Sequence, residues 1–178
     1  MKGIIFTEFL DIVERTFDLE VCQSMLDMAD DPGVYTSVGS YEHQRLVKLI
    51  ICLHKVTGVS PENLQQTFGR AVFPRLLTLL PNYDFTDSNT FDFIRSVESY
   101  IHQEVKKLYP DTTPPRFEFS NETETTLTMD YHSARCMGYV CLGLLEGCAD
   151  YFEQHLDIAL EPTTSKNSVR FHLSLSDN

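Results

Sequence analysis

The pattern of apolar and polar positions divides the chain into a helical first part and a mixed second part. Up to Pro110, apolar residues recur every three to four positions, which is typical of helices with one buried face. Turn-forming residues such as Asp30-Asp31-Pro32-Gly33 separate these segments. The first three predicted helices cover residues 2–17, 21–29 and 41–56, and a fourth begins at Ser60-Pro61. A short helix is predicted over 75–80, between Pro74 and Pro81. The last helix of this part begins at a cap at Asp87 or Ser88 and ends at Pro110.

Beyond Pro115 the spacing changes to an alternation of apolar and polar residues, which indicates strands. Strands are predicted over Arg116–Phe119, over the stretch that leads into Tyr131, over Ile158–Leu160 and over Val169–Leu175. A helix over Cys136–Leu156 separates the second strand from the third. A helical part followed by an antiparallel four-stranded sheet with packed helices is an α+β domain. At 178 residues we expect a single domain over 1–178, with an approximate N-terminal helical subdomain over 1–60.

One strand carries polar residues on the face that should meet the core. If the chain stays extended, Tyr131, Ser133 and Arg135 project from the same side as Leu127 and Met129. Two hydroxyls and a guanidinium in that place suit an anion such as a carboxylate or phosphate, because buried polar groups need partners. The alternative is a strand end at which the polar residues return to solvent.

His102 is the second candidate for chemistry. It follows Glu98 by four residues and lies on the shoulder of the apolar stripe of its helix, so it could point into a cavity while the helix stays packed. A single histidine in such a place is more often a hydrogen-bonded core residue than a metal ligand.

Together these residues resemble the haem–nitric oxide/oxygen-binding (H-NOX) family. The Tyr-x-Ser-x-Arg motif follows a helical histidine, and the resemblance runs from Met1-Lys2-Gly3 through Pro114-Pro115-Arg116 to the stretch Leu142–Gly147. It implies a fold that encloses haem b (protoporphyrin IX iron), with His102 as the iron ligand. The motif residues Tyr131, Ser133 and Arg135 would hold the haem propionates. There is no Cys-x-x-Cys-His, so covalent c-type haem is excluded.

The resemblance also implies residues that line the haem pocket. These are Ile5, Phe9, Pro115, Val140 and Leu144, of which Ile5 and Pro115 would press the porphyrin out of plane. Pro115 suits this contact because its ring fixes φ and makes it stiff.

The gas ligand follows from the same comparison. Oxygen-binding members place a tyrosine five residues after the motif arginine and a tryptophan in the first helix, where this chain has Val140 and Phe9. An asparagine of that network would fall near Val72, and a helical step should turn Tyr139 away from the haem. The chain is therefore expected to bind nitric oxide, and also carbon monoxide, but not oxygen.

The implied function is a haem-based gas sensor that signals to a separate protein. Rupture of the bond between His102 and iron would shift the haem and the N-terminal subdomain, and family analogy names a histidine kinase or a cyclic-di-GMP enzyme as the partner. The alternative is a haem-free adaptor or small-anion-binding module in which Arg135 grips an organic anion.

Composition excludes several other classes. With 14 basic and 26 acidic residues the net charge is −12, which argues against nucleic acid or an anionic membrane as partner. We expect no transmembrane segment and no signal peptide, and the odd count of five cysteines suits a reducing cytoplasm.

Known catalytic and metal patterns are missing. No nucleophile–base constellation or Gly-rich phosphate loop occurs, so no enzyme is expected. Along the predicted helix, Cys141, Cys148 and His155 recur every seven residues. At that spacing neighbouring side chains are too far apart to bind the same zinc ion.

Overall fold

The computed structural model describes residues 1–80, 88–108, 110, 112–163, 165 and 167–176. Its helices are α1 (Gly3–Thr16), α2 (Leu19–Ala29), α3 (His43–Thr57), α4 (Pro61–Leu77), α5 (Thr90–Ser96), a π-helical turn (Val97–Ile101), α6 (His102–Leu108) and α7 (Gly138–Tyr151). Its strands are β1 (Arg116–Ser120), β2 (Thr126–His132), β3 (His155–Pro162) and β4 (Ser168–Ser176). They form one antiparallel sheet in the order β1-β2-β4-β3, which confirms the predicted α+β class.

Side-chain caps fix where the helices begin. The Ser60 side chain accepts a hydrogen bond from the Asn63 amide at 3.2 Å, with Pro61 at the first helical position, as the sequence predicts. Helix α5 begins at an Asn89 cap that exchanges hydrogen bonds with Asp92, so the predicted Ser88 cap is one residue early. The other proposed cap, Asp87, lies outside the described residues.

The prediction of a separate helix over residues 75–80 is wrong. Helix α4 continues through Pro74 to Leu77. Proline removes one backbone donor, so the Arg70 carbonyl, four residues earlier, loses its usual partner. That carbonyl faces α7, where a Cβ added to Gly147 would lie 2.9 Å from it. The predicted boundary residue Pro81 lies outside the described residues.

Helix α7 is shorter than the predicted span 136–156. It ends at Tyr151, and Glu153 adopts a left-handed conformation with φ 53°. The Gln154 amide closes the end by donating to the Ala149 carbonyl at 3.0 Å. His155 therefore belongs to β3, and the predicted helical row of Cys141, Cys148 and His155 does not exist.

Helices α4 and α7 cross with their backbones in contact. A Cβ on Gly143 would lie 1.9 Å from the Gln66 carbonyl oxygen, and one on Gly69 would lie 2.2 Å from the Val140 carbonyl oxygen. No larger residue fits at either position without moving a helix. This crossing explains the glycines in Leu142–Gly147 and fixes where Val140 and Leu144 lie.

The core consists of two clusters on either side of this crossing. The first is built from α1–α4 with Met137, and the second from the sheet with α5, α7 and Phe73. Leu144 packs against both clusters.

The start of α1 is held against the segment before α3. The Gly3 and Ile4 amides donate to the Gly39 and Ser37 carbonyls at 2.9 and 3.0 Å. A Cβ on Gly3 would lie 1.9 Å from the Thr36 carbonyl oxygen, so this position requires glycine. The close approach sets the position from which α1 carries Ile5 and Phe9 inward.

The described residues contain neither a membrane-spanning helix nor a cluster of metal-binding side chains. None of their helices is long and apolar enough to span a membrane. Among these same residues, no three His, Cys, Asp or Glu side chains gather as a metal site.

Candidate functional site

The polar motif lies where β2 ends and the chain turns toward α7. Tyr131 and Ser133 are buried and Arg135 is half-buried. The chain does not stay extended through Arg135, because β2 ends at His132, so the alternative of a strand end applies, although Tyr131 and Ser133 do not return to solvent. A turn follows, in which the Arg135 amide donates to Ser133 Oγ and the Cys136 amide donates to the Ser133 carbonyl, both at 3.2 Å. The turn, rather than strand alternation, sets the position of Arg135.

Tyr131 is the first residue of the motif and its side chain is buried. Burial raises its pKa to about 12, against the opposing effects of hydrogen bonds from the Ser133 side chain and the Met137 backbone and of the Arg135 charge. The Tyr131 hydroxyl is therefore protonated at neutral pH. Tyr131, Ser133 and Arg135 together place two hydroxyls and a guanidinium in one partly buried region.

Arg135 has no carboxylate partner within the described residues. The neighbouring arginines behave differently: Arg170 is held by both oxygens of Asp130, at 2.7 and 2.8 Å, and Arg116 lies 3.5 Å from Glu118. A partly buried cation beside two hydroxyls is the arrangement expected around a carboxylate or phosphate.

A residue that the sequence did not single out supports this turn. The Ser133 amide donates to the Asn167 carbonyl at 2.9 Å, and the Cys136 thiol donates to Asn167 Oδ1 at 3.1 Å. Asn167 belongs to the connection between β3 and β4. Its long separation from the motif along the chain left no local signal.

His102 is the first residue of α6 and directly follows the π-helical turn. Its backbone amide donates to the Val97 carbonyl, five residues earlier, as a π-type turn requires. Only 16% of its side chain is exposed, and Nδ1 lies 3.3 Å from Glu98 Oε2. The imidazole ring lies 5.3 Å from the ring of Phe117 in β1.

The surroundings of His102 favour a neutral imidazole. Burial lowers the pKa of His102 and outweighs the opposing effect of Glu98. With Nδ1 donating to Glu98, the lone pair resides on Nε2, and this nitrogen has no hydrogen-bond partner among the described residues. A neutral imidazole with one nitrogen anchored and the other free is the form that binds a metal ion.

Phe117 connects the two candidate regions. It is paired with Tyr131 in the sheet, and the two rings are 6.1 Å apart. His102 and Tyr131 thus both lie against the Phe117 ring. In the sequence Phe117 resembles any core residue of a strand, so pattern reasoning did not select it.

The predicted pocket residues lie mainly along the first cluster. Phe9 is buried and meets Phe68 edge to face at 5.3 Å between ring centroids. Ile5, Val140 and Leu144 are half-buried against the same cluster, and Pro115 is half-buried just before β1. Their contact with a porphyrin stays a prediction.

The other two positions considered for a distal donor differ in burial. Val72 is fully buried in the first cluster, whereas Tyr139 is 39% exposed. Tyr139 therefore lies at the surface, one helical step from half-buried Val140.

These side chains fit a haem. His102 offers a free nitrogen from a buried, anchored ring, and Arg135 with Tyr131 and Ser133 offers donors to carboxylates. His102 and Tyr131, the first residue of the motif, come from different elements and both lie against the ring of Phe117.

Comparison with known proteins gives a consistent result. The sequence profile of the Haem-NO-binding family matches residues 2–160. No curated protein matches the chain.

Solved structures agree with the family match. The Fe(II) unliganded H-NOX protein from K. algicida is 35% identical, with a TM-score of 0.92, covering 100% of this chain and 98% of that one. The IWP-051-bound H-NOX from Shewanella woodyi in the Fe(II)CO state is 32% identical, with a TM-score of 0.83 and coverage of 99% and 95%. An H-NOX protein from S. oneidensis in the Fe(II)NO state shares the fold, at 23% identity, a TM-score of 0.88 and coverage of 99% and 100%.

Proposed function

Because this chain belongs to the haem-NO-binding (H-NOX) family, whose fold is that of a haem-binding gas sensor, we propose that it binds haem b and senses nitric oxide. The proposal covers carbon monoxide as a second ligand, as in the Fe(II)CO form of the Shewanella woodyi relative. When bound, haem supplies a ferrous iron with one face open to a diatomic gas.

The geometry of His102 carries this proposal. A buried histidine usually satisfies both ring nitrogens or lies beside water. Here Glu98 fixes Nδ1 at 3.3 Å, and Nε2 is free within the described part of the chain. His102 is therefore the residue we assign as the iron ligand.

The motif residues are assigned to the haem propionates. Arg135 provides the charge and a planar pair of donors, and Tyr131 and Ser133 provide hydroxyls from a buried position. Asn167 holds the turn that carries Arg135. The apolar slot is assigned to Ile5, Phe9, Pro115, Val140 and Leu144.

Signalling is assigned to the release of His102 from the iron. Helix α6 carries this ligand, and β1 begins only a short distance beyond it, with Pro115 at the junction. Loss of the bond between His102 and a bound iron would free α6 to move relative to the sheet. The haem and the N-terminal helical subdomain over residues 1–60, which carries Ile5 and Phe9, would then shift, so that the bound and released arrangements form a two-state element.

We propose that the output of such a switch passes to a separate protein. We propose a histidine kinase or a cyclic-di-GMP enzyme in the cytoplasm, by analogy with the family. The chain itself is proposed to be a sensor and not an enzyme. Its net charge of −12 suits a basic surface on the partner.

The absorbance of the purified ferrous protein tests the proposal. Bound haem gives a Soret band at about 400–430 nm. We expect this band to move on addition of nitric oxide and of carbon monoxide. A protein that is folded but takes up no haem would contradict the proposal and favour a haem-free module that binds a small anion at Arg135.

A further inference from the structure

A single carboxylate oxygen of Glu98 connects the candidate iron ligand to the sheet. Glu98 Oε2 lies 3.3 Å from His102 Nδ1 and also accepts a hydrogen bond from the Phe117 amide at 3.0 Å. The first contact is within one helical segment and the second reaches β1.

The helix geometry alone does not account for this arrangement. Acidic and basic side chains four residues apart often meet on an exposed helix face, where they contribute little. Here, in contrast, the His102 side chain is only 16% exposed and the carboxylate is 34% exposed. A partner from another element, the Phe117 amide, holds the carboxylate in place.

From this geometry, and resting on the function proposed above, we propose that Glu98 is a positioning residue for His102. It selects the tautomer that carries the proton on Nδ1, sets the orientation of the ring, and makes Nε2 a stronger electron donor to iron. Metal-binding histidines are generally oriented and tuned by such a partner on their second nitrogen.

The same carboxylate also couples the ligand to the rest of the fold. Because the Phe117 amide and His102 Nδ1 share one oxygen, rotation of the imidazole disturbs the start of β1. Phe117 is paired with Tyr131, so this disturbance reaches the strand that precedes the polar motif. Glu98 thus links His102, at the iron end of the proposed haem site, to the strand that carries Tyr131 at the propionate end.

Two substitutions at Glu98 and one control separate this role from simple support of the fold. Glu98→Gln keeps an acceptor and removes the charge, whereas Glu98→Ala removes both. Glu104→Ala is the control, because Glu104 lies on the same helix and pairs with Lys107 at 2.6 Å. His102→Gly with added imidazole identifies which iron–histidine vibration and which imidazole proton belong to His102.

The haem-loaded proteins are compared by resonance Raman and NMR. In the unliganded ferrous form, the iron–histidine stretching frequency should be lower in Glu98→Ala than in wild type, with Glu98→Gln in between and Glu104→Ala unchanged. In the diamagnetic carbon monoxide form, the His102 Nδ1 proton should exchange with solvent roughly tenfold faster in Glu98→Ala, as expected for loss of a charge-assisted hydrogen bond.

Two results would overturn the inference. Glu98→Ala could speed exchange of the Phe117 amide yet leave the iron–histidine frequency and the Nδ1 proton unchanged, which would assign Glu98 a structural role only. An iron–histidine band that is missing from the wild-type protein would refute the proposed function itself, and this inference with it.

Discussion

The backbone amide of Ser133 donates a hydrogen bond to the carbonyl oxygen of Asn167 at 2.9 Å. This bond joins the turn that carries Arg135 to the connection between β3 and β4. The Cys136 thiol adds a second contact to the Asn167 side chain at 3.1 Å. Arg135 has no ion-pair partner in the described residues, and this scaffold fixes the backbone from which its side chain extends.

Replacing Arg135 with alanine should weaken haem binding and leave the fold intact. With Arg135 assigned to the haem propionates, the change would remove a charged donor, a loss of about 1.5–3 kcal/mol, or roughly ten- to a hundredfold in affinity. The measurements are haem occupancy after purification and the rate of haem transfer to an acceptor protein. Stability of the haem-free form should change by less than about 0.5 kcal/mol.

Arg116→Ala is the matched control, because Arg116 is exposed and lies 3.5 Å from Glu118. It should bind haem as the wild type does. Unchanged haem transfer from Arg135→Ala would refute the assignment of Arg135 to the propionates.

Replacing His102 with glycine should mimic the released state when free imidazole is supplied. The imidazole occupies the iron, but the bond no longer ties α6 to it. We expect the variant to retain haem and, without any gas, to give an amide NMR spectrum that resembles that of wild type with nitric oxide. His155→Gly, at an exposed position in β3, should keep the unliganded spectrum. If the His102 variant still needs nitric oxide to change its spectrum, release of His102 is not the switch.

Replacing Gly143 with alanine should destabilise the fold. The added Cβ would lie 1.9 Å from the Gln66 carbonyl oxygen and 2.7 Å from the Arg70 amide nitrogen, so α4 and α7 must separate. Overpacking of this kind costs about 1–3 kcal/mol, although alanine favours a helix by up to about 1 kcal/mol.

Urea unfolding of the haem-free protein measures this change. Gly138→Ala is a useful comparison, since its Cβ would meet a methyl group of Val169 at 2.9 Å instead of backbone. The loss of stability should be smaller there. Equal losses in the two variants would show that backbone contact at the crossing is unimportant.

Acid should weaken the contact between the segment after α2 and the start of α3. Burial alone would raise the pKa of Asp31, but hydrogen bonds from Tyr35, Gly33 and Arg45 outweigh it and hold the pKa below its ordinary value of 3.8. A carboxylate with a lowered pKa contributes stability that is complete above the unfolded value and lost as pH falls through the folded value. The contribution of Asp31 is therefore present at pH 7 and declines progressively as the pH falls below about 4.

The test is Asp31→Asn, unfolded in urea at several pH values. At pH 7 the free energy of unfolding should fall by about 1–3 kcal/mol, and the difference from wild type should shrink toward pH 3. Asp11→Asn removes an exposed pair with Arg15 and should cost less than about 1 kcal/mol at pH 7. A constant difference at all pH values would exclude ionisation of Asp31 as the cause.

Local signals in the sequence predicted most of the fold. Ser60 with Pro61 gives the start of α4. Pro74 misled the prediction, because the neighbouring α7, through Gly147, accommodates the carbonyl that the proline leaves free. That compensation is tertiary and has no local trace.

In the candidate site, too, some residues have a local signal in the sequence and others depend on tertiary contacts. The motif of Tyr131, Ser133 and Arg135 and the position of His102 were found from spacing and family resemblance. Glu98 and Phe117 were not recognised as members of the site, because their roles depend on a contact between a helix and a strand. The sequence also left open whether the strand continues to Arg135, because side-chain alternation does not show where a strand ends.

The last prediction concerns oxygen. Oxygen on ferrous haem carries partial negative charge and needs a hydrogen-bond donor, whereas nitric oxide and carbon monoxide need one far less. The positions that would supply donors by family resemblance hold Val140 and Phe9, and the third falls near Val72. None of these side chains has a donor, and Tyr139 is 39% exposed. Ferrous protein mixed with air-saturated buffer should therefore form no stable oxygen complex, whereas nitric oxide and carbon monoxide should both bind. Tyr139→Phe is the matched control and should behave as the wild type in all gases. A persistent oxygen spectrum that disappears in Tyr139→Phe would show that Tyr139 reaches the haem and that the ligand assignment is wrong.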